Sequence, residues 1–167
     1  IKRKINKLRA ESAGLEMPED YAPYIGTWRN ISQSTYQKFE AFKSPLPQFA
    51  GRIVFPVRDY SGRIVAFQGR DEIGTLEHKY SNWPRGVSMP LYPLVEPVQG
   101  SVILVEGLYD AINLHDKGID NATAIFGVNT LKSSDITILK MQGVTEIVGM
   151  LDPDEAGQRG AAKLKEI

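Results

Sequence analysis

The chain has no cysteine. Disulfides are excluded, and so is any zinc site built on thiolates. Histidine is almost missing too, with His78 and His115 the only two. They stand in different sequence contexts, so a histidine-rich metal centre or a Ser-His-Asp triad lacks its parts. Both are expected to be partly exposed polar residues. No apolar run reaches the ~20 residues that a membrane-spanning helix needs, and no basic-then-apolar leader opens the chain. A soluble protein with no membrane partner is the expectation. Net charge is absent as well, since 20 Lys+Arg balance 20 Asp+Glu.

What is present is a chain of 167 residues, 42% hydrophobic, enough for one medium domain or two small lobes around a real core. The charge is unevenly distributed. Residues 1–99 carry 14 Lys+Arg against 10 Asp+Glu, and residues 100–167 carry 6 against 10. A basic half joined to an acidic half suits a polyanion groove beside a metal site. A solvated surface gives the same imbalance. The chain starts at Ile1 without Met and stops at Ile167 inside a helical pattern, so it reads as a piece of something longer.

Three segments follow. Residues 1–20 are first basic (Lys2, Arg3, Lys4, Lys7, Arg9) and read as a connecting arm or short helix. Residues 21–99 read as a basic α+β lobe. Between Tyr21 and Phe42 the residues Trp28, Ile31, Tyr36, Phe39 and Phe42 fall at helix-compatible intervals, with Ser32 or Ser34 as cap. Pro45 and Pro47 end that pattern. Two strand-like runs in residues 51–70 flank the turn Asp59-Tyr60-Ser61-Gly62 and predict a hairpin. Ile53, Phe55 and Val57 share one face, and Arg52, Val54 and Arg58 the other. Pro56 predicts an edge position or a bulge. Residues 71–99, with four prolines, read as an irregular surface wrap.

Residues 100–167 change character. Val102–Val105 is a continuous apolar run, as in a strand buried on both faces. A helix is predicted through Lys117, a second strand over 122–126, a helix capped by Ser133-Ser134-Asp135, a third strand over 146–151, and a helix from Asp152 onward. This alternation specifies a parallel sheet flanked by helices.

Ligands of open parallel sheets bind outside the carboxyl ends of the strands. Glu106 follows the first strand, and Asp152 and Asp154 follow the third. Clustered carboxylates repel one another and raise each other's pKa values. A hard divalent cation such as Mg²⁺ removes that cost, because it takes oxygen ligands and bridges to substrate phosphates. Helix starts just beyond both sites offer N–H groups to phosphate oxygens. Taken singly, Asp-x-Asp before a helix is an ordinary N-cap and Glu-Gly an ordinary turn. Together, at two ends of one sheet, they point to a metal site. Asp110, one turn into the helix after Glu106, is either a further metal ligand or a first-turn partner of the helix dipole. Arg52, Arg58, Arg63, Arg70, Lys79 and Arg85 supply cations for phosphate recognition. Tyr80 and Trp83, interleaved with them, offer stacking faces; the alternative is a solvated hairpin with Trp83 under the proline-rich wrap.

Glu106-Gly107-Leu108-Tyr109-Asp110 resembles the EGxxD motif of TOPRIM domains, and Asp152-Pro153-Asp154-Glu155-Ala156-Gly157 resembles their DxD motif. Gly51–Asp59, Gly62-Arg63 and Phe67-Gln68-Gly69-Arg70 resemble the GR-I-x-FP-I-RD…GR…GF-x-GR stretch of DnaG-type primases. Lys79-Tyr80-Ser81-Asn82 resembles their KYLNS element with one residue missing, and Leu91-Tyr92-Pro93-Leu94 is similar to their LYGL. Tyr24-Ile25 with Arg29-Asn30-Ile31-Ser32 resembles their Y-L…R-G-I-S segment. The likeness runs from about residue 21 to the end.

The resemblance implies an α/β fold in which a basic N-terminal α+β lobe packs on a TOPRIM lobe, with a cleft between them. It implies RNA primer synthesis from ribonucleoside triphosphates on a single-stranded DNA template, by metal-dependent nucleotidyl transfer. Glu106, Asp152 and Asp154 would carry the catalysis and hold Mg²⁺ or Mn²⁺, with Asp110 as a further metal candidate. Arg52, Arg58, Arg63, Arg70, Lys79, Tyr80, Asn82 and Arg85 would bind template or nucleotide. A replicative helicase is the implied partner, in some forms fused to the primase. The implied location is a bacterial cytoplasm or nucleoid, or a host cytoplasm for a phage protein. Several features depart from the family. No zinc ligands are present in this segment, residues 42–51 are short, and Arg85 only approximates the basic residue before LYGL. The chain ends before a further acidic motif. The compact form and the DPDEAG variant fit a phage or mobile-element source. Two other readings use the same residues: a TOPRIM nuclease that hydrolyses phosphodiesters, and a non-catalytic RecR-like DNA-binding module.

Overall fold

The computed structural model describes residues 14–97 and 99–165. Most of the predicted arm lies outside them. Contacts divide the chain into two compact units, residues 1–25 with 37–87, and residues 26–36 with 88–167.

The first unit is a five-stranded antiparallel sheet in the order β1-β2-β3-β4-β5. Its strands are β1 (Ala22–Pro23), β2 (Phe42–Lys43), β3 (Arg52–Arg58), β4 (Ile64–Asp71) and β5 (Tyr80–Trp83). The predicted hairpin is β3–β4, and its turn is organised by Asp59. One oxygen of that carboxylate accepts from the Ser61 N–H and hydroxyl and from the Arg63 N–H, and the other accepts from the Arg63 guanidinium. Pro56 lies beyond Val54, the last residue of β3 that pairs with β2, and just before an irregularity in register at Val57/Arg58. One face of the sheet buries Phe42, Val54 and Phe67, over which Phe49, Leu15 and Met17 pack. Trp83 belongs to this cluster. The aromatic rings meet edge to face at 5.4–5.8 Å, the arrangement that ring quadrupoles favour.

Two expectations change here. Residues 71–99 are not wholly irregular, because β5 pairs with β4 through Phe67↔Trp83, Gln68↔Asn82 and Arg70↔Tyr80. The helix expected between Tyr21 and Phe42 shrinks to α1 (Gln33–Lys38), preceded by a tight turn at Trp28–Asn30. Ser32 caps it, its Oγ accepting from the Thr35 N–H. The strand pairs on either side, Ala22↔Lys43 and Pro23↔Phe42, claim the residues that periodicity alone assigned to helix.

The second unit is a parallel sheet in the order β7-β6-β8, with β6 (Ser101–Val105), β7 (Ala122–Ala124) and β8 (Glu146–Met150). The helices are α2 (Leu108–Asp116), α3 (Ser133–Met141) and α4 (Glu155–Lys165). Central β6 buries Val102, Leu104 and Val105 almost completely, as its continuous apolar run predicts. Val102 and Leu104 join Ile125, Ile136 and Leu139 in one cluster, and Val105 joins Ala111 and Ala124 in another. Burying a leucine of this kind contributes about 2–5 kcal/mol against alanine. The cap of α3 is not Ser133, which is already helical. The Asp135 carboxylate reaches back to the Lys132 N–H at 2.8 Å. His115 is also a correction, since it is buried. One ring nitrogen meets the Ala122 carbonyl oxygen at 2.8 Å, and the other lies 3.2 Å from Asp120. Its place among Ala111 and Ile112 on the inner face of α2 decides this, and its polar ends are satisfied locally.

Candidate functional site

The β6→α2 and β8→α4 connections leave the same end of the parallel sheet, because the strands run parallel with Val105 opposite Met150. Glu106 follows Val105 directly, and Asp152 follows Met150 after Leu151. Glu106 Oε1 accepts the Asp152 N–H at 3.1 Å. Burial pushes the Glu106 carboxyl above its ordinary range, repulsion from Asp152, Asp154 and Asp110 adds to it, and the Asp152 N–H bond opposes both. Glu106 therefore feels the charge of all three predicted aspartates.

They do not form a closed cage. Among the described residues, no three His, Cys, Asp or Glu side chains are gathered tightly enough to hold an ion by themselves. Besides Glu106, two more of the four are partly engaged with backbone. Asp154 Oδ1 accepts the Gly157 N–H at 2.8 Å, and Asp110 Oδ2 accepts the Gly107 N–H at 3.1 Å. Each therefore acts as a helix-start residue with one oxygen committed and one remaining. Asp152 is exposed, and its side chain accepts no hydrogen bond from the described residues. An open set of hard oxygens fits a cation such as Mg²⁺, which keeps waters and completes its shell with substrate phosphates.

The backbone around Asp152 is held by a close approach. A Cβ at Gly157 would run into the Asp152 carbonyl, whose carbon would be only 2.9 Å away. Any side chain at 157 forces the 152–157 loop open, so glycine there fixes where Asp152 sits relative to Glu106. An open depression of about 530 Å³ adjoins the strand ends, lined by Asp110, Asn113, Leu114, Lys117 and Asp152 among others. Asn113 and Lys117 follow Asp110 at helical spacing, a signal present in the sequence but not read there.

The predicted basic residues all lie in the first unit, and most are already occupied. Arg58 makes a fork to Glu40, with Nε and Nη2 at 2.9 and 2.8 Å. Arg63 pairs with Asp59, which its bonds and those of Ser61 hold below the usual carboxylate range despite partial burial. Arg52 is buried against Gly69, a position with room for its stem only because no Cβ is present, and its Nη1 reaches the Lys79 carbonyl at 3.4 Å. The structure does bring together Arg70, Tyr80 and Asn82, because Arg70↔Tyr80 and Gln68↔Asn82 place them on one sheet face. The Arg70 guanidinium lies 4.5 Å from the Tyr80 ring centroid. Gln68, not anticipated from sequence, donates to Asn82 at 3.0 Å. Lys79 and Arg85 are exposed.

A parallel sheet with acidic residues and helix starts at one end, preceded in sequence by an antiparallel sheet with a basic hairpin, defines a Toprim-bearing catalytic core. Residues 100–167 match the family described as Toprim domain, and residues 27–88 match the DNA primase catalytic core, N-terminal domain. The chain belongs to the DnaG-type DNA primase family. It is 34% identical over 119 residues to a DNA primase of Deinococcus radiodurans, covering 66% of this chain and 20% of that protein. It is 34% identical over 128 residues to a DNA primase of Pseudomonas aeruginosa, covering 71% and 19%. The chain thus spans about a fifth of the length of these relatives. Among solved structures, a DNA primase domain from Pseudomonas aeruginosa superposes with a TM-score of 0.54 at 30% identity, over 78% of this chain and 45% of that one. The primase fragment of the bacteriophage T7 primase-helicase protein shares the fold, with a TM-score of 0.65 at 19% identity over 88% and 62%. No helix among the described residues is long and apolar enough to cross a membrane.

Proposed function

We propose that this chain is the nucleotidyl-transfer core of a primase that makes short RNA primers on single-stranded DNA. The observation that carries this reading is the Glu106–Asp152 junction at the end of the parallel sheet. There a carboxylate is pushed up by burial and by three like charges while the neighbouring Asp152 stays open. Glu106, Asp152 and Asp154 would hold Mg²⁺ or Mn²⁺, with the second oxygen of Asp110 in reserve. Such an ion, when bound, supplies charge stabilisation for the transferring phosphoryl group and lowers the pKa of the attacking hydroxyl. The chain's own part is to fix these oxygens through Gly157 and the two helix starts, and to present N–H groups to phosphate.

Single-stranded DNA and ribonucleoside triphosphates are the expected ligands. A relative in structure is described as a DnaG primase catalytic domain bound to ssDNA. Lys79, Tyr80 and Arg85 are the exposed members of the basic set. Arg70 and Asn82 stand beside Tyr80 on the same face, and Arg52, Arg58 and Arg63 would join by exchanging their present partners for phosphate. A replicative helicase, separate or fused, is the expected partner.

The test is primer synthesis. The protein is incubated with single-stranded DNA, labelled ribonucleotides and Mg²⁺ or Mn²⁺, beside an Asp152→Ala control. Short RNA that disappears in the control is the expected result. Metal-dependent DNA cleavage without RNA would instead make the chain a nuclease.

A further inference from the structure

The chain leaves β7 through Ile125, Phe126 and Gly127, at the same end of the parallel sheet as Glu106. Pairing continues just past the strand, where the Ile125 N–H donates to the Val105 carbonyl at 2.9 Å. The backbone then turns left-handed. Phe126 has φ 55 and Gly127 has φ 115. A bulky aromatic residue rarely enters that region, because its Cβ crowds the backbone there. A Cβ at Gly127 would meet nothing closer than Thr130 Cγ2 at 3.9 Å, so φ and not space requires glycine. Such a turn persists only where the surroundings hold it. The Thr130 hydroxyl lies within hydrogen-bond reach of both the Ile125 and Gly127 carbonyls, and the Thr130 N–H donates to the Gly127 carbonyl at 3.1 Å. The Phe126 side chain packs on the cluster of Val105, Ala111 and Ala124.

What the turn delivers is one hydrogen bond. A regular ladder would carry the Gly127 N–H on to the Gly107 carbonyl, in step with Ile125 on Val105. The left-handed step stops it short, and it donates instead to the Glu106 carbonyl at 3.2 Å. Glu106 also accepts the Asp152 N–H on Oε1 at 3.1 Å. It is therefore tied from both flanking connections, its backbone from the β7 side and its carboxylate from the β8 side. The backbone tie depends on the conformation of Phe126.

We propose that Phe126 is a positioning residue, whose left-handed backbone sets Glu106 for divalent-metal binding through the Gly127 N–H. The proposal rests on the metal reading of the strand end and not on the reaction performed there. Phe126 acts only through Glu106. Its side chain anchors the turn, and its φ aims the donor.

Two substitutions separate side chain from backbone. Phe126→Asn discards the ring but accepts positive φ, whereas Phe126→Ile stays apolar but, being β-branched, resists it. Thr130→Val removes the clamping hydroxyl at nearly constant shape. The parent and the three variants are titrated with Mn²⁺ well below their melting temperatures, and free Mn²⁺ is read by electron paramagnetic resonance. Glu106→Gln identifies which bound Mn²⁺ belongs to the strand end. We expect Phe126→Ile and Thr130→Val to bind that Mn²⁺ about tenfold more weakly, the usual scale for a group that orients a ligand from behind. Phe126→Asn is expected to stay close to the parent affinity although it loses packing and melts lower. Where Phe126→Ile does not fold, Thr130→Val decides alone. Equal affinity in all four proteins, or affinity that simply follows melting temperature, would overturn the proposal and leave the metal site standing. A parent that binds no Mn²⁺ would overturn both. Weakened Mn²⁺ binding in Phe126→Ile, with no primer synthesis by the parent, would keep the proposal and remove the primase reading instead.

Discussion

The antiparallel sheet and the carboxyl end of the parallel sheet handle charge in opposite ways. In the antiparallel unit, ionised side chains find partners within the unit. Arg58 forks to Glu40, Arg63 to Asp59 and Lys43 to Glu72. Asp71 accepts the Ile73, Gly74 and Leu76 N–H groups at 2.8–3.1 Å, and those bonds, Leu76 first, hold it below its ordinary range. At one end of the parallel sheet four carboxylates stand near one another, and Glu106 is pushed up by burial first and by their charge second. Charge that is locally balanced serves the fold. Like charge gathered at a strand end marks where an outside cation would bind.

The sharpest way to break this contrast is Glu106→Gln. Its amide oxygen can still accept the Asp152 N–H, but the charge is gone. We expect primer synthesis to fall at least about a hundredfold, since a metal-ligand contribution is worth several kcal/mol. Stability should move the other way. A carboxylate whose folded pKa is raised binds its proton more tightly in the folded state. Folding therefore loses stability as pH climbs from the ordinary to the raised value, and the loss persists above it. Calorimetry should find Glu106→Gln more thermostable than the parent at neutral pH, with the gain vanishing in acid below the ordinary glutamate pKa.

Next in size is Gly157→Ala. It keeps every carboxylate but moves Asp152, and a displacement of about 1 Å typically costs on the order of a hundredfold in rate. Retained activity would show that the close approach to Asp152 is unimportant. Asp71→Asn tests the other unit. We expect a loss of roughly a few degrees in Tm at neutral pH with little effect on metal binding. Asp71 is depressed when folded, so its contribution is present above the ordinary aspartate pKa. It disappears as pH falls through the lower folded value, and the variant should lack that acid-side slope. The smallest effect is Glu40→Ala. Removing an exposed partner changes stability by less than about 1 kcal/mol. It frees Arg58, so oligonucleotide affinity should rise a few-fold. A fall in affinity would mean that Arg58 needs Glu40 to hold its position.

The legibility of the sequence follows the same division. β6 was readable because both its faces are buried and its apolar run is unbroken, and Glu106 and Asp152 could be placed because parallel strands bring their carboxyl ends to one edge. The β3–β4 hairpin was readable from its turn chemistry. What failed depended on distant partners. The residues around Trp28–Phe42 carry helical spacing, but pairing of 22–23 with 42–43 overrides it. β5 has no apolar alternation of its own and exists by pairing with β4. That Arg58 and Arg63 are engaged was not visible, because a charge pattern does not reveal its counterion.

Asp116 Oδ1 accepts the Ser32 N–H at 2.9 Å and the Thr35 hydroxyl at 2.7 Å, and this clasp has a consequence in time rather than space. Ser32 and its anchor are 84 residues apart in the chain. On a ribosome adding about 5–20 residues per second, the turn at Trp28–Ser32 emerges seconds before the residue that holds it. The β3–β4 hairpin, which closes through near neighbours, can form in that interval. The turn at Trp28–Ser32 therefore waits for α2, and the parallel unit matures only after its earliest-made piece has been recovered.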